Sequence, residues 1–294
     1  MPELPDVELY LHALRPRVVG QPITGVRVAS FAVLKTYDPP IDRIVGRSVV
    51  DLRRVGKRVV FDLDEEWFLV VHLMVSGRFQ WRAPGSAVPR KVGHLAIDFP
   101  DGSLVLTEAS TKKRARVSLV VGEDALAVID PGGIEPLGLD GDTFASRLTD
   151  ENRTLKRALT DPRRFSGIGN AYSDEILHRA GLSPVQRTRN LDADEIARLH
   201  DATERVLTEW RDRLIDEVGD GWPSKVTAFR PEMAVHGKYR EPCPVCGTAV
   251  QRIVYAENEV NYCPGCQTGG KALADRSLSR LLGEDWDGMG LVED

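Results

Sequence analysis

The sequence predicts an α+β multidomain protein: an N-terminal β-sandwich with one N-terminal helix, then a helical domain, then a C-terminal four-cysteine ribbon. Three observations predict it. Residues 23–129 are a series of short strand-like runs separated by turn residues. From about Asp142 the apolar spacing becomes helical. All four cysteines fall in two Cys-x-x-Cys pairs late in the chain. A chain of 294 residues with 42% apolar content has room for two compact domains and a small module. The expected boundaries are 1–135, 136–222 and 223–270, followed by a tail at 271–294.

Each element has its own signal. Val7, Tyr10, Leu11 and Leu14 stand at helical spacing over Asp6–Leu14, and Pro16 is expected to end or kink that helix. Strands are expected at Ile23–Leu34, Lys57–Leu63, Trp67–Leu73, Arg78–Trp81, Leu95–Phe99, Ser103–Thr107, Arg116–Val121 and Ala125–Ile129. Helices are expected at Thr143–Thr149, Thr154–Thr160, Ala171–Ala180 and Ala193–Val218, with a short one at Ala272–Leu282. Asp192 and Asp194 suit the positive end of the long helix. His72 and His94 lie in strand-like runs, where a histidine is expected to be packed and hydrogen-bonded rather than catalytic.

The cysteines are Cys243-Pro-Val-Cys246 and Cys263-Pro-Gly-Cys266, sixteen residues apart. That is the spacing of a four-thiolate zinc ribbon. Gly247 and Gly265 are expected at positions of positive φ. Residues 248–262 read as two short strands around a turn near Glu257-Asn258. Four thiolates leave no open coordination position, so the one expected Zn2+ is structural. No cysteine is left over for a disulfide.

Net charge is −5, and the stretch 281–294 alone supplies it through Glu284, Asp285, Asp287, Glu293 and Asp294. The rest is near neutral with bunched bases: Arg53, Arg54, Lys57 and Arg58; Lys112, Lys113, Arg114 and Arg116; Arg153, Lys156, Arg157, Arg163 and Arg164; Lys225, Arg230, Lys238 and Arg240. Bunches that converge in space form a phosphate-binding face. No apolar run is long enough to span a bilayer, and acids rather than a basic leader open the chain, so a cytoplasmic monomer is expected.

The opening Met1-Pro2-Glu3-Leu4-Pro5-Asp6-Val7-Glu8 carries chemistry of its own. Removal of Met1 leaves Pro2 as a secondary amine, and an α-amino group has an ordinary pKa of about 7.7–8.0. Glu3 beside it can give or take a proton. Together they suffice for imine chemistry at a sugar C1′. A second motif, Gly167-Ile168-Gly169-Asn170, precedes a helix, where backbone amides favour a phosphate.

These motifs, in this order, resemble the formamidopyrimidine-DNA glycosylase/endonuclease VIII family over roughly residues 1–268. The resemblance rests on Pro2-Glu3-Leu4-Pro5 with Val7-Glu8, Val55-Gly56-Lys57, Gly133-Ile134-Glu135-Pro136-Leu137 and Gly167 to Tyr172 with Glu175. Val235 to Cys243, leading into the ribbon, completes it. It implies a helix–two-turns–helix domain and a bifunctional glycosylase/abasic-site lyase acting on double-stranded DNA. The substrate is expected to be an oxidised or ring-opened purine, turned out of the duplex. Catalytic roles pass to Pro2, Glu3 and Lys57; phosphate contacts pass to Lys57, Asn170 and Lys156. No redox or nucleotide cofactor is implied. Tyr172 is a DNA-binding candidate whose alternative is packing in the helical core.

Two departures stand out. The family's ribbon arginine is replaced by Asn258, which lacks a guanidinium's bidentate grip. The wedge methionine is displaced by one in His72-Leu73-Met74-Val75-Ser76-Gly77, and the second wedge loop reads Lys112-Lys113-Arg114-Ala115 with no aromatic. Met74 or Val75 remains the wedge candidate, the alternative being that one of the two is core. These departures keep two other readings open: a lesion or abasic-site binding protein with weak cleavage, and a glycosylase for bulky adducts or cross-links. A zinc-ribbon module of transcription or translation is a further alternative.

Overall fold

The computed structural model describes residues 1–255 and 259–273. Asn258, the acidic tail and most of the expected helix at 272–282 lie outside the described residues. The chain divides into two compact units, Met1–Gly133 with Glu209–Ala228, and Ile134–Thr208 with Phe229–Asp294.

The first unit opens with α1 (Leu4–Val18), whose Leu4, Val7, Leu9, Tyr10, Leu11, Ala13, Leu14 and Val18 are all buried. The strands are β1 (Gly25–Val28), β2 (Val49–Val55), β3 (Arg58–Leu63), β4 (Trp67–His72), β5 (Gly77–Arg82), β6 (Gly93–Phe99), β7 (Gly102–Glu108) and β8 (Arg116–Val121), and α2 (Glu123–Ile129) follows. Two four-stranded antiparallel sheets, β1-β6-β7-β5 and β2-β3-β4-β8, make the sandwich. Alternate residues of β3 and β4 fill its interior, and α1 packs on β2 and β3.

Four expectations are corrected. The run Ile23–Leu34 is strand only at Gly25–Val28, then a 3-10 turn at Phe31–Val33. Ala125–Ile129 is helix rather than strand, because Gly122 with φ +83 turns the chain and acids at Glu123 and Asp124 start a helix. Strand β2 is absent from the expectation, since Asp51, Arg53 and Arg54 conceal its period. Helix α1 runs through Pro16 to Val18: proline in the last turn removes only one hydrogen bond, and the Arg17 side chain donates to Ala13 O at 2.6 Å.

The second unit holds α3 (Gly141–Thr149), α4 (Leu155–Thr160), α5 (Asn170–Ala180) and α6 (Ala193–Val218), whose residues from Glu209 onward belong to the first unit. Asp140 caps α3 by accepting from Thr143 N–H at 2.9 Å. Gly181, at φ +66, ends α5. The ribbon strands β9 (Gln251–Val254) and β10 (Glu259–Tyr262) pair antiparallel, and α7 (Pro264–Gln267) carries the last cysteine. Among the described residues no helix is long and apolar enough to cross a membrane.

Candidate functional site

In the first unit the N-terminal motif folds as a helix start. Glu3 is the N-cap of α1; its N–H donates to Asp6 Oδ2 at 3.0 Å while its own carboxylate takes the Asp6 backbone N–H. This reciprocal cap buries both acids, Glu3 to 2% and Asp6 to 0% exposure. The Met1 α-amine feels the charge of both. Burial holds its pKa below the ordinary 8.0, opposed by Glu3 and Asp6 and assisted by Arg78 and Lys57. Pro2 itself is buried. The fold therefore sets Glu3 and Lys57 where their charges act on the Met1 amine, next to Pro2 in the chain, and adds Asp6 and Arg78, which sequence reasoning missed.

Lys57 stands in a two-residue turn between paired Val55 and Arg58, with Gly56 at φ +61 in the first turn position. A brace holds that turn. Arg54 Nε donates to Glu8 Oε1 at 2.8 Å and its Nη1 to the Gly56 carbonyl at 2.9 Å. Glu8 of the opening motif thus helps place the lysine turn. The strand register then aligns Arg58, His72 and Arg116 in one row across β3, β4 and β8. Parts of two basic bunches converge here. Burial, with Arg58, Lys57 and Arg116, pushes the His72 pKa down to about 3, so the ring is neutral. Its Nδ1 accepts the Met74 N–H at 2.9 Å.

The wedge candidates lie in the turn after β4, not in a strand. Leu73 is the core residue, at 1% exposure. Met74 is half-buried with φ +52, and Val75 is 51% exposed. Neither is core, and Val75 is the outermost apolar group of this turn.

The Lys112, Lys113 and Arg114 loop is exposed but anchored from below. Buried Glu108 accepts from Arg114 N–H at 3.0 Å, Ala115 N–H at 3.1 Å and His94 Nε2 at 3.0 Å. Lys113 Nζ donates to the Glu108 carbonyl. Burial pushes the Glu108 carboxyl up, but the two backbone N–H groups and His94 outweigh it and leave its pKa below the ordinary range. A depressed folded value means that the contribution is present above the unfolded pKa and lost as pH falls through the folded one. Glu108→Ala is therefore expected to lower stability by about 1–3 kcal/mol at pH 7 and to flatten the acid limb of the stability curve. Urea melts of both proteins at neutral and acid pH check this; parallel curves would refute it.

In the second unit α5 begins at Asn170, after Gly169 as N-cap. Asn170 is half-buried and its Nδ2 donates to the Glu259 carbonyl at 2.9 Å, tying the helix start to the ribbon. Lys156 is 8% exposed and donates to Asn170 O at 2.7 Å and Asp174 Oδ1 at 2.5 Å. Its charge is spent inside the unit, holding the first turn of α5. Tyr172 is fully buried, so its assignment as a DNA-binding residue is corrected: the ring fills the helical core. The third basic bunch is largely ion-paired, with Arg153 and exposed Arg163 on Asp161 and buried Arg164 on Asp150 and Glu151; Arg157 is exposed.

The four cysteines converge. Cys243 and Cys266 Sγ are 3.8 Å apart, and Cys246 and Cys263 Sγ 3.3 Å. A tetrahedron with Zn–S arms of about 2.3 Å has edges of about 3.8 Å, so the set fits one structural zinc. Gly247 has φ +76 as expected, whereas Gly265 has no positive φ. Its reason is space: a Cβ there would lie 2.9 Å from Cys246 Sγ. His178 on α5 adds an unforeseen fifth group, its ring nitrogen lying within 4.8 Å of the Cys243, Cys263 and Cys266 sulfurs.

With this geometry in place, comparison with known proteins decides the family. Residues 1–117 match the formamidopyrimidine-DNA glycosylase N-terminal domain, 133–211 the H2TH domain of the same enzymes, and 240–269 the zinc finger found in FPG and IleRS. The chain belongs to the formamidopyrimidine-DNA glycosylase family. A formamidopyrimidine-DNA glycosylase of Chloroflexus aggregans is 32% identical over 274 residues, covering 91% of this chain and 98% of that one. A formamidopyrimidine-DNA glycosylase-like protein of Mycobacterium tuberculosis is 41% identical over 150 residues, 51% of this chain and 93% of its own. The Lactococcus lactis enzyme in complex with abasic-site DNA superposes with a TM-score of 0.79 at 27% identity, over 90% of this chain and 99% of that. The same enzyme with DNA holding an oxidised pyrimidine gives 0.79 and 27%, over 91% and 100%. The family assignment makes this chain a DNA-repair glycosylase with a zinc finger. Its β-sandwich, H2TH and four-cysteine parts are those the sequence predicts.

Proposed function

We propose that this glycosylase is also an abasic-site lyase, working through Pro2 on oxidised or ring-opened purines in duplex DNA. One observation carries the reading: the reciprocal Glu3–Asp6 cap buries the Glu3 carboxylate at the start of α1, directly after buried Pro2. Once Met1 is removed, the Pro2 nitrogen becomes the chain-terminal secondary amine, next in sequence to the Glu3 carboxylate. It bonds to C1′ as the base leaves with the glycosidic electron pair, and the base takes up a proton. Glu3 protonates the opening sugar oxygen. A secondary amine can only give a cationic iminium, which acidifies the C2′ hydrogen. Loss of that proton expels the 3′ phosphate; loss of the C4′ proton then expels the 5′ phosphate. Water hydrolyses the iminium and restores Pro2.

The remaining residues hold the substrate. Lys57 and the Arg58–His72–Arg116 row supply positive charge, with His72 as a neutral hydrogen-bonding member. The loop at Lys112, Lys113 and Arg114 adds further phosphate contacts, and Asn170 holds another phosphate in the second unit. Lys156 acts through Asn170. Val75 or Met74 enters the space left by the turned-out nucleotide. DNA holding an abasic site or Fapy-dG, bound by the Lactococcus lactis relative, supports the substrate class.

Borohydride reduction during reaction with abasic-site and 8-oxoguanine duplexes tests this. The expected result is a covalent protein–DNA adduct whose tryptic digest carries the sugar on a peptide beginning at Pro2. An adduct on any internal lysine instead would overturn the assignment. Tight binding of both duplexes with no adduct would favour the lesion-binding reading. An adduct on abasic DNA without release of 8-oxoguanine would favour a glycosylase of other scope.

A further inference from the structure

We propose that His178 is an outer-sphere partner of the zinc, donating its Nε2–H to the Cys243 thiolate and so tying the metal to α5. Nε2 lies 3.2 Å from Cys243 Sγ, and the ring is 8% exposed. A metal-bound thiolate carries no proton and can only accept, so the hydrogen sits on Nε2.

The same stretch of α5 grips the chain leading into the ribbon at two further points. Asp174 Oδ2 meets His236 Nδ1 at 2.7 Å. Glu175 accepts the backbone N–H groups of Ala234, Val235 and His236 at 2.8, 3.0 and 2.9 Å. Asp174 and His178 are four residues apart, hence stacked on one helix face. The His178 contact extends this latch from the backbone to the metal centre itself.

Electrostatics favour the contact. Zinc with four thiolates carries an excess of negative charge, and each N–H donated to sulfur disperses part of it. Outer-shell donors of this kind typically change metal affinity by about 10–100-fold. Direct ligation by His178 is the competing arrangement, with exposed Cys246 displaced. The zinc-finger match argues against it: residues 240–269 hold all four cysteines and leave out His178. Its Nε2 lies 3.2 Å from Cys243 Sγ, a hydrogen-bond separation.

The full chain loaded with 113Cd in place of zinc, and labelled with 15N, gives a test that needs no variant. The Nε2 proton of His178 is expected to show scalar coupling to cadmium through the N–H···S bond. Direct 15N–113Cd coupling, or no coupling at His178, would overturn the proposal. Chelator competition for zinc adds a second measurement. His178→Phe keeps the bulk and loses the donor, and is expected to weaken zinc by about 10–100-fold. His178→Gln places an N–H near the Nε2 position and is expected to recover most of that loss. Equal zinc affinity in His178→Phe and the natural chain would sink the idea. A Phe variant that fails to fold leaves the coupling measurement to decide.

Discussion

Glu3→Gln is expected to slow single-turnover base release by about 10²–10⁴-fold while leaving DNA affinity within about twofold. The two effects separate because the proposed proton transfer needs an acidic carboxyl, whereas the helix cap needs only a side-chain oxygen. As N-cap of α1 its side-chain oxygen accepts the Asp6 N–H, and a glutamine carbonyl does the same at equal volume. Helix α1, which lines the sandwich core, should therefore be unharmed. What glutamine lacks is an exchangeable carboxyl proton beside the Pro2 amine. Quench-flow measurement of released base, with binding followed on an uncleavable duplex, checks both halves. Release within threefold of the natural rate would remove Glu3 from the chemistry. A melting temperature that falls with the rate would make the effect structural.

Zinc removal is expected to cost at least about 100-fold in DNA affinity while sparing the first unit. Structural zinc supplies of the order of 10–16 kcal/mol to ribbon-sized modules, more than a module of this size can replace. Its loss frees the two cysteine turns, then the pairing of β9 with β10. Two contacts go with it: the Glu259 carbonyl that holds Asn170, and the Gly237 N–H bond to Asn261 Oδ1 at 2.8 Å. Chelation should therefore open residues 240–269 to protease and weaken binding. The N-terminal amine should still be captured reductively by a small aldehyde, since all four cysteines lie in the second unit. Retained affinity after verified zinc loss would show that the ribbon is dispensable for DNA binding.

Patterns carried by neighbouring residues were legible in the sequence; pairings between distant ones were not. The alternation in Arg116–Val121 and the long amphipathic run Ala193–Val218 give those elements at their observed bounds. Ala125–Ile129 misleads because a five-residue apolar run fits strand and helix alike, and only the turn at Gly122 decides it. Charge counting misleads at Lys156, since sequence cannot show that Asp174 lies underneath. It succeeds in part at Arg58 and Arg116, which sit on different strands yet share one row. Glu8 and Arg54 are each visible as motif and basic bunch, but their bridge to the Gly56 carbonyl exists only in the fold. His178 gave no signal, because nothing in its helix announces a sulfur 65 residues away.

The left-handed backbone at Met74 sets a conflict for any effort to harden this protein. A side chain there costs about 1–2 kcal/mol that glycine would not. Selection for melting temperature alone will drift toward glycine at this position and remove one of the two side chains proposed as the wedge. Under that proposal, thermostability and DNA binding pull the same codon in opposite directions.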